Sequence, residues 1–159
     1  MIDQLLPQPI DNTYRGHGLA LWLFALLLFM RVAMSVNSMF NAAEVASSAD
    51  GIPLDTYAPA AAGTIISLFA LLGLAHFTLC LLGILVLVRY RSMIPFMFAL
   101  LLLEHLGRRL ILHLMPIVRT GTPPGFYVNL VLLAVMLLGL VLSLRRRGNL
   151  EVQAGERRP

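Results

Sequence analysis

The sequence has little of what most soluble proteins rely on. Its 159 residues contain one cysteine, Cys80, no lysine, and only 13% charged residues. One thiol cannot form an internal disulfide, a CxxC redox pair or a four-thiolate metal site. A chain so poor in charge is neither disordered nor a nucleic-acid-binding module. We therefore expect no nucleic-acid partner, no metal site and no dithiol redox chemistry.

Hydrophobic residues are what the chain has in excess. They make up 58% of the sequence, and the mean hydropathy is +0.82. A helix that crosses a membrane needs about 20 apolar residues, and four segments are long enough. We predict an all-α fold, an integral membrane four-helix bundle formed by residues 1–147. Its spans are predicted at about 18–38, 62–88, 93–115 and 126–144, with an outer loop at 41–61 and a disordered cytoplasmic tail at 148–159.

The arginines are distributed unevenly around these spans. Arg89 and Arg91 lie between the second and third spans, and Arg145–Arg147 follow the fourth. The loop at 41–61 carries only acidic charges, and Arg119 is the one arginine on that side. The positive-inside rule therefore places both termini in the cytoplasm and the acidic loop outside. We predict a multi-pass protein of a prokaryotic inner membrane, with the lipid bilayer as a partner.

Polar residues within the predicted spans fall at similar depths. A rise of about 1.5 Å per residue puts them roughly 17–24 Å from the cytoplasmic surface, on four different helices. Ionisable groups at membrane depth usually face the interior of a protein. The sequence therefore predicts one buried polar layer, formed by Arg31, His76, Glu104, His105, Arg108, Arg109 and Asn129.

This layer is either a structural lock or a binding site. Glu104 and Arg108 are four residues apart, the spacing of a helical ion pair. Arg31 lies at nearly the same depth as Glu104. We predict that Glu104 is ionised and bridges Arg108 and Arg31, which would fix the register of the helices. We expect Arg109 to extend to the outer lipid phosphates and His76 to be a hydrogen-bonded core histidine.

The second span carries a face of small and polar residues. Gly73, His76, Cys80 and Gly83 share this face of the predicted helix. Close packing of helices in membranes favours such residues. We therefore expect the face to lie against a neighbouring helix.

One stretch of the chain resembles a known membrane family. Residues 71–103 read LLGLAHFTLCLLGILVLVRYRSMIPFMFALLLL, which resembles the second and third spans of DoxX-like membrane proteins. His76 stands where that family commonly has an acidic residue, and Arg31 late in the first span fits the same outline. The first span lacks glycines after Arg31, and EHLGRR at 104–109 is no family signature. The resemblance implies a compact four-helix bundle, in some members a small subunit beside a redox enzyme, and carries over no catalytic residue.

Three functions are compatible with these features. The first is an accessory, assembly or interaction subunit in a larger membrane complex or a homo-oligomer, with a mainly structural polar layer. The second is a redox-associated subunit, in which His76 and His105 ligate haem b or the arginines bind a quinone or an anionic headgroup. The third is a small proton- or ion-coupled transporter that works as an oligomer with Glu104 as its titrating group. The first is favoured, so we expect no catalytic residues and no haem.

Overall fold

The computed structural model describes residues 10–14, 16–119 and 121–145. The described part is helical and contains no strand, which confirms the predicted all-α class. The predicted tail at 148–159 lies outside the described residues, as do Arg146 and Arg147. Four long helices follow one another along the chain: α1 (Gly18–Phe40), α2 (Pro59–Arg89), α3 (Ile94–Leu114) and α4 (Pro124–Leu144).

Local sequence signals explain where these helices begin. The His17 side chain accepts a hydrogen bond from the backbone N–H of Leu19 at 3.2 Å, which satisfies one free donor at the start of α1. The other three long helices have a proline in their first turn. Proline is suited to this position because its fixed φ is helical and its missing N–H would have no helical partner there.

Three of the long helices are long and apolar enough to cross a membrane, namely α1, α2 and α4. Helix α3 differs from them because it carries three charged residues, Glu104, Arg108 and Arg109. Compared with the predicted spans, α1 continues to Phe40 and α2 begins earlier, at Pro59.

Helix α1 occupies the centre of the packing. It lies along α2 and against α4, and α3 packs mainly on α4. The contact between α2 and α3 is much smaller. An apolar core fills the end of the molecule near the α2–α3 turn, where the rings of Phe24 and Phe98 meet edge to face with centroids 5.1 Å apart. The Arg31–Glu104 pair and the polar residues around it lie in the opposite half.

Two glycines leave room for close contacts between helices, one with backbone and one with an aromatic ring. A Cβ atom on Gly73 of α2 would lie 2.9 Å from the Met39 nitrogen and 3.0 Å from the Ser35 carbonyl oxygen of α1. On α4, a Cβ atom on Gly139 would overlap the ring of Phe98. The predicted small-residue face of α2 does lie inward, since Gly73, Cys80 and Gly83 are all buried.

The segment between α1 and α2, predicted as an outer loop, contains helical turns. Helical turns continue through Ala42–Glu44 and Val45–Ala49, and a 3₁₀ turn follows at Leu54–Thr56. Ala46 and Ile52 are almost fully buried. The segment therefore packs onto the helices and directs Asp50 toward their interior.

Hydrogen bonds also connect two segments at the end of the molecule near the α2–α3 turn. The Ser92 hydroxyl donates to the backbone oxygen of Asp11 at 2.8 Å and accepts from the backbone N–H of Asp11 at 3.1 Å. These bonds fasten the segment before α1 to the turn between α2 and α3.

Candidate binding site

The carboxylate of Glu104 joins three helices. Arg31 on α1 donates from Nη1 to Oε2 at 2.7 Å, and Nε2 of His76 on α2 lies 2.8 Å from Oε1. The predicted bridge between Arg31 and Glu104 is therefore present, with His76 as a partner that the sequence did not identify. We call Arg31, Glu104 and His76 the triad.

The predicted ion pair between Glu104 and Arg108 is wrong. Within the described part of the chain the two side chains form no salt bridge. Arg108 instead donates from Nη2 to Oδ1 of Asn129 on α4, at 2.9 Å. The physical reason is that both Glu104 oxygens already have partners on α1 and α2, while Arg108, one turn further along α3, reaches α4.

Arg31 is buried but only partly satisfied. Its exposed fraction is 7%. Its Nη2 faces the sulfur of Met136 at 3.8 Å, and its Nε has no partner among the described residues. A buried guanidinium normally uses its N–H groups on oxygen acceptors, so the fold leaves the Arg31 guanidinium incompletely hydrogen-bonded.

The remaining predicted layer residues have different surroundings. His105 has no exposed surface, and neither ring nitrogen has a partner among the described residues. It lines neither of the cavities described below. The guanidinium of Arg109 lies over the Phe126 ring, 5.7 Å from its centroid, as in a cation–π contact. The structure thus does not bring all seven residues into one site.

Two adjoining cavities occupy the polar half of the molecule. The inner cavity has a volume of about 100 Å³ and is lined by Arg31, Ser35 and His76, among others. The outer cavity has a volume of about 610 Å³ and lies between α2, α3 and α4. Residues that line both cavities mark their boundary: Asp50, Phe69, Leu72, Arg108 and Asn129.

Positive charge dominates the outer cavity. Arg108, Arg109 and Arg119 line it, against a single carboxylate from Asp50. The Nε of Arg119 is buried without a partner in the described ranges. Burial raises the pKa of Asp50, and the charges of Arg108 and Arg119 oppose this effect. The site therefore carries a net positive charge and unused donors.

Arg119 and Asp50 both line the outer cavity, although as loop charges they indicate only orientation in the sequence. Sequence reasoning therefore missed one basic residue of the site and its acidic residue, Asp50. Gly51 follows it with a positive φ of 72°, which turns the chain sharply at this point. A Cβ atom on Gly125 would lie 2.5 Å from the Ala49 oxygen and 3.4 Å from Oδ1 of Asp50. This close approach to the start of α4 fixes the carboxylate at the cavity boundary.

No group of three His, Cys, Asp or Glu side chains within the described ranges could hold a metal ion. The two histidines that the alternative haem function would use are also in different surroundings, because His76 is bound to Glu104 and His105 lies outside both cavities. No family model, no curated protein and no solved structure matches the chain. The resemblance to DoxX-like proteins therefore stays a prediction.

Proposed function

We propose that this protein is a small four-span membrane protein whose outer cavity binds an anionic group, such as a phosphate, in the head group of an amphiphile from the outer leaflet. In this proposal the protein is an accessory subunit of a larger membrane complex or a homo-oligomer, and the triad holds its helices together. The observation that carries the proposal is the outer cavity of about 610 Å³, with three guanidinium groups on its wall.

The size and the lining of the cavity suit such a ligand. Small-molecule pockets usually measure about 300–1,000 Å³ and combine apolar walls with a few polar groups. Phe69, Leu72 and Ile117 supply apolar wall here. Guanidinium groups bind phosphate and carboxylate oxygens with paired, charge-assisted hydrogen bonds. The limited contact between α2 and α3 leaves a side of the cavity that a lipid could enter.

The distribution of side chains on α3 supports its assignment as a fourth span. Its charged residues find partners or cavities inside the protein. The opposite side presents large apolar residues that are exposed in the isolated chain, including Leu103, Leu106 and Leu114. A helix with this division places its charges inward and its apolar side toward lipid.

The arginine asymmetry supports a topology with both termini in the cytoplasm. Reporter domains fused after residue 50 and after the C-terminus should then report opposite sides of the membrane. A fusion after Tyr90 provides a control, since it should agree with the C-terminal fusion. Cytoplasmic reporter activity at residue 50 would reverse the orientation and move the outer cavity to the inner leaflet.

Arg109→Ala should weaken binding of an anionic lipid about tenfold, since it removes one charge-assisted contact. The melting temperature should change little, because Arg109 takes no part in the triad. The measurement is a titration of the detergent-purified protein with a fluorescent phosphatidylglycerol. Arg89→Ala is the matched control, because Arg89 lies at the other end of α2 and lines neither cavity. Equal affinities for wild type and Arg109→Ala would contradict the proposed site.

We propose no haem site as part of this function. To ligate a haem iron, His76 would have to break the contact between its Nε2 and Glu104 or rotate its ring. His105 is fully buried and lines neither cavity. The described arrangement favours a bound head group over a bis-histidine centre.

A further inference from the structure

The Asp50 carboxylate is the acidic group of the outer cavity, and it has no direct partner in the described part of the chain. It makes no ion pair and accepts no hydrogen bond within the described part of the chain, although it lines both cavities. Glu104, by contrast, has both oxygens engaged by Arg31 and His76. A ligand therefore meets one available carboxylate next to the guanidinium groups.

This carboxylate stays in place because of the backbone around it. The close approach of Ala49 to Gly125 holds the segment against the first turn of α4. Ala46 and Ile52 anchor the same segment in the protein interior on either side of Asp50. Moving the Asp50 backbone away from the cavity would require these contacts to break.

The charge pattern has two parts of opposite sign. Arg109 and Arg119 line only the outer cavity, whereas Asp50 and Arg108 lie at its boundary with the inner one. Arg108 and Arg119 act on Asp50 only through their charge. A head group with a phosphate alone would bind the guanidinium groups and leave the carboxylate without a hydrogen-bond donor. A head group with a phosphate and an ammonium group would satisfy both parts.

We propose that the outer cavity recognises a zwitterionic aminophospholipid, whose phosphate binds the arginines and whose primary ammonium binds Asp50. This inference rests on the proposed function and names the ligand class of the same site. A primary ammonium donates hydrogen bonds to a carboxylate, whereas the trimethylammonium of choline has no N–H to donate. Choline is instead recognised by cages of aromatic rings, and the Phe126 ring of this cavity is already covered by Arg109.

The test compares three lipids with identical acyl chains: phosphatidylethanolamine, phosphatidylcholine and phosphatidylglycerol. Each is titrated into the full-length protein in one detergent. The wild type should bind phosphatidylethanolamine about tenfold more tightly than either of the others, the effect of one charge-assisted hydrogen bond.

The decisive variant is Asp50→Asn, which keeps the shape of the side chain and removes its charge. Its preference for phosphatidylethanolamine should disappear, and its affinity for phosphatidylglycerol should rise, because the cavity gains net positive charge. Asp55→Asn is the matched control, since Asp55 is exposed on the same segment and lines neither cavity. It should bind all three lipids as the wild type does.

Each other outcome has a distinct meaning. If the wild type prefers phosphatidylglycerol, or if Asp50→Asn raises the affinity for all three lipids equally, Asp50 is only an internal counter-ion. The inference is then overturned while the proposed function stands. If the wild type binds none of the three lipids, both are overturned.

Discussion

Glu104→Gln should lower the free energy of unfolding by about 3–5 kcal/mol, the usual cost of breaking a buried ion pair from one side. Glutamine preserves the shape of the side chain and an acceptor oxygen, so the loss is mainly one of charge. Arg31 is 7% exposed and would keep an acceptor for its 2.7 Å hydrogen bond but lose the negative charge that balances its guanidinium. Unfolding of the detergent-purified protein, followed by thermal and denaturant scans, measures the effect.

A double variant separates charge from packing in this experiment. Arg31→Met with Glu104→Leu removes both buried charges and should destabilise less than Glu104→Gln alone. Arg108 stays satisfied in the double variant because its partner is Asn129. Glu44→Gln is a surface control, since the exposed Glu44 carboxylate accepts a hydrogen bond from the nearby Ser48 hydroxyl and takes no part in the triad. If Glu104→Gln melts like the wild type while Arg109→Ala unfolds the protein, the triad is not the lock.

The Arg31–Glu104 pair could be predicted because the rise per residue of two helices that run in the same direction places both residues at nearly the same depth. Depth does not give the direction in which a side chain points around its helix. The spacing of Glu104 and Arg108 permits an ion pair, yet Arg108 turns to Asn129, which had been placed at nearly the same depth. Whether Arg108 pairs with Glu104 or with Asn129 depends on residues of other helices. The rotation of those helices about their axes cannot be predicted from one sequence.

The connection between α1 and α2 shows a different limit of sequence reasoning. Its helical turns at Ala42–Glu44 and Val45–Ala49 have a local signal, because alanine has the highest helix propensity. The position of Asp50 over the cavity has no such signal. It depends on the contact between Ala49 and Gly125, residues far apart in the chain that the fold brings together.

A substitution where α1 crosses α2 should also lower the stability of the protein strongly. Gly73→Ala would place a methyl group 2.9–3.0 Å from backbone atoms of Met39 and Ser35. Backbone in a helix cannot rotate away as a side chain can, so the two helices must separate along their contact. Such overpacking typically costs about 1–3 kcal/mol. We expect a correspondingly lower melting temperature for the purified variant.

Gly63→Ala is the matched control, on the same helix and with the same change of side chain. A Cβ atom on Gly63 would meet nothing within 4 Å. That variant should be neutral or more stable by up to about 1 kcal/mol, since alanine is the better helix former. Opposite signs for the two substitutions would show that packing at Gly73, rather than helix propensity, holds α1 and α2 together. Equal stability of the two variants would mean that α2 does not approach α1 at Gly73 in the membrane.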